Sequence, residues 1–304
     1  MSLDFDIMVL KMTALELLNW STNYLRDHQI ENPRLDAELL LARSLKLSRE
    51  QLYTHFQTQI RQEEKEALEE FIQRRVSGEP LQYILEHQEF WSTDFKVDPR
   101  VLIPRSETEL LVEQSLWILS EISFKRAPSV LEIGTGSGAI TIALAKEMKN
   151  IFLVATDISR EALELARENS RSAGVQNRIK FVNGNLFGPF VPSKEEGPFD
   201  LIVSNPPYIN RFEIHALAKE VRDYEPIIAL DGGEDGLEFY RHIISEAPFY
   251  LGQGGWLLLE VGQGQSERVS KLIGGDGHFL RPECVPDLSG IDRVVKAQKM
   301  ESRK

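Results

Sequence analysis

From Glu107 to Ala297, short apolar runs alternate with stretches of helical periodicity, and this alternation restricts the fold more than any other property of the chain. A helical pattern through Leu110, Leu111, Leu116 and Leu119 leads into a strand pattern at Val130-Leu131-Glu132-Ile133. A helix from Ala139 to Met148 precedes a strand from Ile151 to Thr156, and a helix from Ser159 to Ser172 precedes a strand from Ile179 to Val182. Further strands read at Leu201-Ile202-Val203, Trp256 to Val261 and Arg293 to Ala297, with a helix around Leu237 to Tyr250. Strands alternating with helices predict an α/β fold with a doubly wound, mainly parallel sheet. Ligands of such a sheet bind beyond the carboxyl ends of its strands.

The preceding residues have a different character. From Thr13 to Val76 apolar residues recur at helical spacing, as in Leu15, Leu18 and Leu25, in Leu35, Leu39 and Leu40, and in Leu68, Phe71 and Ile72. Thr13 with Glu16 forms a capping-box signature, and Ser48 before Glu50 and Leu52 marks a second helix start. A small all-helical domain is expected, with the charged stretch Arg61 to Glu70 as a solvated helix face. Ser77-Gly78-Glu79-Pro80 breaks the pattern, and Tyr83 to Val97, rich in aromatics, reads as short β segments forming a connecting hairpin. The expected division is residues 1–80 helical, 81–104 hairpin and 105–304 α/β.

Composition narrows the function. A net charge of -12 and a pI near 5.1 disfavour a broad phosphate-binding surface, and with it nucleic acid as substrate. Cys284 is the only cysteine, so the chain cannot form an intramolecular disulfide or a cysteine-rich zinc site; a small buried apolar residue is expected there. Six scattered histidines show no metal-ligand spacing. The apolar stretch Ile7 to Leu10 follows Asp4 and Asp6 and lacks a cleavage pattern, so no signal peptide is expected. No run approaches the roughly 18 apolar residues of a membrane helix, and a cytoplasmic protein is the default.

Two loops at the predicted strand ends carry the chemistry. Gly134-Thr135-Gly136-Ser137-Gly138 follows the first strand, where glycines permit a sharp turn and close approach of backbone to ligand. Glu132 is placed either to accept a hydrogen bond from a ligand's cationic amino group or to cap its own loop. Asp157, ending the second strand, is placed to take both hydroxyls of a ribose or to cap the next helix. A dinucleotide site wants Gly-x-Gly-x-x-Gly and a pyrophosphate at the helix start. The spacing here differs and an acid stands just upstream, which suits S-adenosylmethionine, a cation without phosphate. After the strand at Leu201-Ile202-Val203 comes Asn205-Pro206-Pro207-Tyr208, which sets an amide, a rigid proline pair and an aromatic ring at the sheet's mouth. That combination suits holding a planar nitrogen for methylation, although a rigid turn after a strand would read the same way.

With these motifs, the chain resembles class I S-adenosylmethionine-dependent methyltransferases, and within them the enzymes that methylate N5 of a glutamine in peptide chain release factors. The likeness spans nearly the whole chain. It rests on Gly78 to Tyr83, Glu89-Phe90-Trp91, Leu102 to Glu109, the glycine loop, Asn205 to Tyr208, Val221 to Pro226 and Gly290 to Val295. It implies a seven-stranded Rossmann-like domain joined through a β-hairpin to a helical substrate-recognition domain. It also implies S-adenosylmethionine contacts at Gly134, Thr135, Gly136, Ser137, Gly138, Asp157, Leu186 and Asn205, with Glu132 beside them. Substrate contacts are implied at Asn205, Pro206, Pro207 and Tyr208. Catalysis falls to Asn205, Pro206 and Tyr208, with no metal and no catalytic histidine. Two positions depart from the family pattern: Ser106 stands where proline is common, and Asn185 where many relatives carry an acid before the Leu-Phe pair. An asparagine can still hydrogen-bond an adenine edge. The partners expected are release factors, with no membrane and no direct nucleic-acid substrate. Alternatives are a ribosomal protein glutamine, an adenine N6 amine, and a noncatalytic module that binds a translation factor. Arg105 is expected to contact a ligand or to form a structural ion pair, and Glu225-Pro226 and Asp231 to Gly236 to form a turn and an acidic flexible loop.

Overall fold

The computed structural model describes residues 12–121, 126–192 and 197–301; the stretch Ile7 to Leu10 lies outside them. The chain forms two compact units, Met1–Glu86 with Lys219–Tyr224, and His87–Ala218 with Glu225–Lys304.

The first unit is helical. Helix α1 (Ala14–Asp27) starts at the capping box of Thr13 and Glu16, in which the Thr13 N–H donates to Glu16 Oε2 at 2.8 Å. Helix α2 (Pro33–Leu45) has proline in its first turn and stops at Lys46, whose φ of 56° is left-handed. Helix α3 (Arg49–Thr54) is capped by Ser48, and α4 (Gln62–Val76) and α5 (Leu81–Leu85) complete the set. Leu17, Leu18 and Leu25 meet Leu40, Leu41, Leu52, Leu68, Ile72 and Ile84 in one core. Each such side chain contributes about 1.5–3 kcal/mol on burial. The face from Arg61 to Glu70 is solvated except for Lys65 and Leu68, which are buried. Arg75 donates to Asp36 at 2.7 Å and to Glu220 at 2.9 Å, which ties the segment Lys219–Tyr224 into this unit.

The predicted β character of Tyr83 to Val97 is wrong at its start. Pro80, with φ of -56°, opens α5, and Ile84 and Leu85 join the helical core, so burial overrides the strand preference of an aromatic and a β-branched residue. The hairpin itself is β1 (His87–Phe90) with β2 (Thr93–Lys96), turning through Trp91 and Ser92, both at positive φ.

The second unit continues with α6 (Glu109–Glu121), β3 (Ser129–Ile133), α7 (Ala139–Glu147), β4 (Phe152–Asp157), α8 (Arg160–Ser172), β5 (Ile179–Asn183) and β6 (Phe199–Ser204). After α9 (Lys219–Tyr224), which belongs to the first unit, come α10 (Glu238–Glu246), β7 (Leu251–Glu260), α11 (Ser266–Asp276), β8 (Glu283–Pro286) and β9 (Asp292–Gln298). The seven strands are ordered β5-β4-β3-β6-β7-β9-β8, parallel from β5 to β7 and antiparallel at β9 and β8. Strand periodicity divides the core between the two faces. Val130, Leu201, Val203 and Leu258 pack on one side, and Leu131, Ile202, Leu257 and Leu259 on the other. Among the described residues no helix is long and apolar enough to cross a membrane.

Candidate active site

Strand β3 lies inside the sheet with β4 on one side and β6 on the other, so the chain's winding reverses between β3 and β6. Loops leaving their carboxyl ends diverge there and open a crevice. A cavity of about 570 Å³ occupies it. Its lining includes Glu132, Gly134, Thr135, Gly136, Ser137, Asp157, Leu186, Asn205, Pro206 and Pro207. The structure therefore brings together most of the residues singled out in the sequence. Gly138 stands behind the lining, where an added Cβ would lie 2.9 Å from Ile142 Cδ1 and 3.2 Å from Ala166 Cβ; it lets α7 and α8 approach. Gly134 and Gly136 differ: their φ angles of 74° and 53° are left-handed, and a Cβ on either would meet no protein atom within 4 Å. Their bare faces are part of the cavity wall.

Two acids give this end of the cavity its sign. Glu132 is buried, and its Oε2 accepts from the Thr135 hydroxyl at 2.8 Å and from the Thr141 N–H at 3.1 Å. Asp157 Oδ2 accepts from the Gly136 N–H and its Oδ1 from the Ser159 N–H, each at 2.9 Å. Helix α8 is capped by Ser159, whose Oγ accepts from the Ala162 N–H, so Asp157 is not its cap. The Gly136 N–H of the loop and the Thr141 N–H of the α7 first turn, which could otherwise meet a pyrophosphate, are thus taken by the protein's own carboxylates. A ligand with an amino cation and ribose hydroxyls fits this donor and acceptor set; a dinucleotide does not.

Burial pushes the Glu132 carboxyl up to about 7 against the pull of Thr141 and Thr135, and burial also raises Asp157. For Glu132 the folded state holds its proton after the unfolded chain has released it. Stability is then full below about pH 4.5 and declines as pH rises to about 7. The expected loss is on the order of 3 kcal/mol. Denaturant unfolding across that range should show the decline, with Glu132→Gln removing this share; an identical decline in the variant would assign it elsewhere.

The second loop is held from several sides. Ser204 Oγ donates to the Ile133 carbonyl at 2.8 Å, which locks the ends of β6 and β3 together. Asn205 Nδ2 donates to Thr108 Oγ1 at 3.2 Å, leaving Oδ1 as the end of the amide available to a ligand. Tyr208, predicted to wall a substrate amide, is not brought to the cavity with Asn205, Pro206 and Pro207. Its ring packs where a Cβ on Gly262 would lie 2.9 Å away, its carbonyl accepts from Gln265 at 2.9 Å, and burial pushes its phenol up to about 12. Leu186 lines the cavity beside Asn185 in a left-handed conformation, φ 47°, uncommon for a branched residue and held by packing against the core.

Other lining residues were not apparent in the sequence. Phe239, His242, Ile243 and Glu246 of α10 face the cavity; their spacing of three and four residues marks one helix face, the signal that could have found them. Arg105 lines the cavity and pairs with the buried Glu225 at 2.6 Å, so Glu225 is an ion-pair partner rather than a simple turn residue. The acidic loop is fastened: Asp231 pairs with Arg211 and Asp235 with Arg241 and Arg268. Cys284 is exposed, contrary to expectation, because β8 is the sheet's edge strand.

Residues 16–85 match the family model of the PrmC N-terminal domain, and residues 110–221 that of the methyltransferase small domain. The release factor glutamine methyltransferase of Geobacter sulfurreducens is 45% identical over 286 residues, 93% of this chain and 95% of that protein. Those of Moorella thermoacetica and Bacillus cereus are 38% and 36% identical; the matches cover 95% and 94% of this chain and 100% and 99% of theirs. Among solved structures, the hMettl16 catalytic domain in complex with the MAT2A 3′UTR hairpin 6 superposes with a TM-score of 0.54 at 14% identity, over 70% of this chain and 78% of that one. That likeness concerns the fold alone.

Proposed function

Because the chain belongs to the family of release factor glutamine methyltransferases, we propose that it transfers a methyl group from S-adenosylmethionine to N5 of the glutamine in the Gly-Gly-Gln motif of peptide chain release factors. The observation that carries this reading is the Asn205 amide at the cavity wall, its Nδ2 committed to Thr108 and its Oδ1 left as acceptor.

S-adenosylmethionine supplies a methyl group on a good leaving group, the sulfonium. Glu132 would face its amino cation, Asp157 its ribose hydroxyls, the bare backbone of Gly134 and Gly136 its body, and Leu186 and Asn185 its base. A glutamine amide nitrogen is a weak nucleophile because its lone pair is shared with the carbonyl. Asn205 Oδ1 and the Pro206 carbonyl each accept one of its N–H groups, which aims the nitrogen and returns electron density to it. The proline ring fixes φ and holds that carbonyl in place. Tyr208, wedged on Gly262 from outside the cavity, keeps the turn rigid. Placement and exclusion of water supply the rate, and the proton lost from nitrogen leaves to solvent. The helical unit is assigned recognition of the release factor body, and the protein acts in the cytoplasm, where translation ends.

With labelled S-adenosylmethionine, the purified protein should label an intact release factor far better than a free Gly-Gly-Gln peptide, ribosomal protein or DNA. Preferential label on ribosomal protein would reassign the acceptor, and equal labelling of DNA would sink the proposal.

A further inference from the structure

Thr108 and Glu260 are buried at the root of the Asn205 turn; Thr108 holds the Asn205 amide, and Glu260 has no part in the transfer itself. Glu260 ends β7. Ser204 and Leu259 are partners in the parallel pairing of β6 with β7, so Asn205 and Glu260 are the next residues along and leave the sheet side by side. Glu260 is 2% exposed and stands behind the cavity lining, to which Thr108 and Asn205 belong. Its Oε2 is enclosed with no hydrogen-bond partner, an arrangement costing about 1–3 kcal/mol that stability alone does not call for. Thr108 Oγ1 accepts from Asn205 Nδ2, so its single hydrogen is free to go elsewhere. Thr108 and Asn205 both pull the Glu260 carboxyl down against its burial, which sets a hydroxyl and an amide beside this enclosed carboxyl.

Resting on the function above, we propose that Glu260 is a positioning residue. Its carboxylate, an acceptor only, takes the hydrogens of Thr108 and of the Asn205 amide, so Nδ2 is held inward and Oδ1 toward the substrate glutamine. The two ends of an asparagine amide are nearly equal in shape, and only their hydrogen-bond partners decide which faces out. A flipped amide would set NH₂ against the substrate N–H groups, donor against donor. Glu260 thereby acts on the reaction through Asn205 without touching the substrate.

Protonation should interrupt this action. Burial holds Glu260 up at about 7, against the pull of Thr108, with Glu107 raising it and Arg293 of β9 lowering it. The phenols of Tyr208 and Tyr240 also face it, and Tyr240 donates to the Glu260 carbonyl at 2.8 Å. A protonated carboxyl can donate, and no longer requires two donors opposite. Transfer therefore rises with pH through about 7.

The test uses the full-length protein and an intact release factor. Glu260→Gln should lower kcat at least about tenfold, the size of a lost charge-assisted hydrogen bond, with KM for the release factor and Kd for S-adenosylmethionine within about threefold. The acidic limb of the wild-type pH profile should vanish in this variant, and combining it with Asn205→Ala should cost nothing beyond Asn205→Ala alone. Wild-type kcat with an unchanged pH profile, or additive losses in the double variant, would overturn the proposal. If Glu260→Gln does not fold by thermal melting, Thr108→Val against Thr108→Ser decides: loss of kcat in the valine variant with recovery in serine supports the relay, and equal rates refute it. A wild-type protein inactive on release factors would instead refute the underlying function.

Discussion

Asn205→Ala should reduce methyl transfer at least about a hundredfold while leaving cofactor affinity within about tenfold. The first figure follows from removing one preorganised group that acts on the reacting atoms. The Pro206 carbonyl remains, so one of the two acceptors for the substrate amide survives, but the nitrogen is free to rotate out of line. The second figure follows from position: Asn205 lines the cavity where the second loop meets the glycine cradle, and Glu132, Asp157, Gly134 and Gly136 are untouched by the change. Truncation also releases Thr108 Oγ1 from its 3.2 Å hydrogen bond, a local loss that melting should register as small. Single-turnover transfer with labelled cofactor gives the rate, and calorimetry gives the affinity. Loss of cofactor binding with a normal rate at saturation would show that Asn205 serves the cofactor rather than the reaction.

Asp157→Ala should weaken S-adenosylmethionine binding about a hundredfold with kcat at saturating cofactor largely kept. The carboxylate is proposed to take both ribose hydroxyls, and hydrogen bonds to a charged group contribute about 1.5–3 kcal/mol each. A net loss near 3 kcal/mol corresponds to about two powers of ten in Kd. The variant also frees the Gly136 and Ser159 N–H groups, each now bonded at 2.9 Å, so the glycine turn should loosen and the melting temperature fall. Asp157→Asn separates the two effects: it keeps acceptor oxygen for the backbone and loses the charge. If calorimetry finds the alanine variant binding cofactor as tightly as wild type, Asp157 serves only the loop's own backbone.

The central strands and the glycine turn were legible because their physics is local. Leu201, Ile202 and Val203 form a continuous apolar run, and Val130, Leu131 and Ile133 are broken only by Glu132; strands buried on both faces read that way. What escaped depends on neighbours far along the chain. Strand β8 is four residues at the sheet's edge, with an exposed cysteine and a proline, and nothing in its own composition requires a strand. Helix α11 went unread because Gly274 and Gly275 sit in its last turn. Glu225 became a buried ion-pair partner only once Arg105, 120 residues away, was beside it. The α10 face was visible as an amphipathic pattern, but the pattern gave no sign that one edge faces a cavity instead of core.

The first unit takes its last piece, Lys219–Tyr224, from between two stretches of the second, Ala218 before it and Glu225 after it. Neither unit therefore corresponds to one uninterrupted length of gene. A chimaera that exchanges residues 12–86 for those of a relative replaces Arg75 and Asp36 but inherits the old Glu220, and so mixes two lineages inside one ion-paired set. An exchange that keeps this ion-paired set within one lineage takes Lys219–Tyr224 together with residues 12–86.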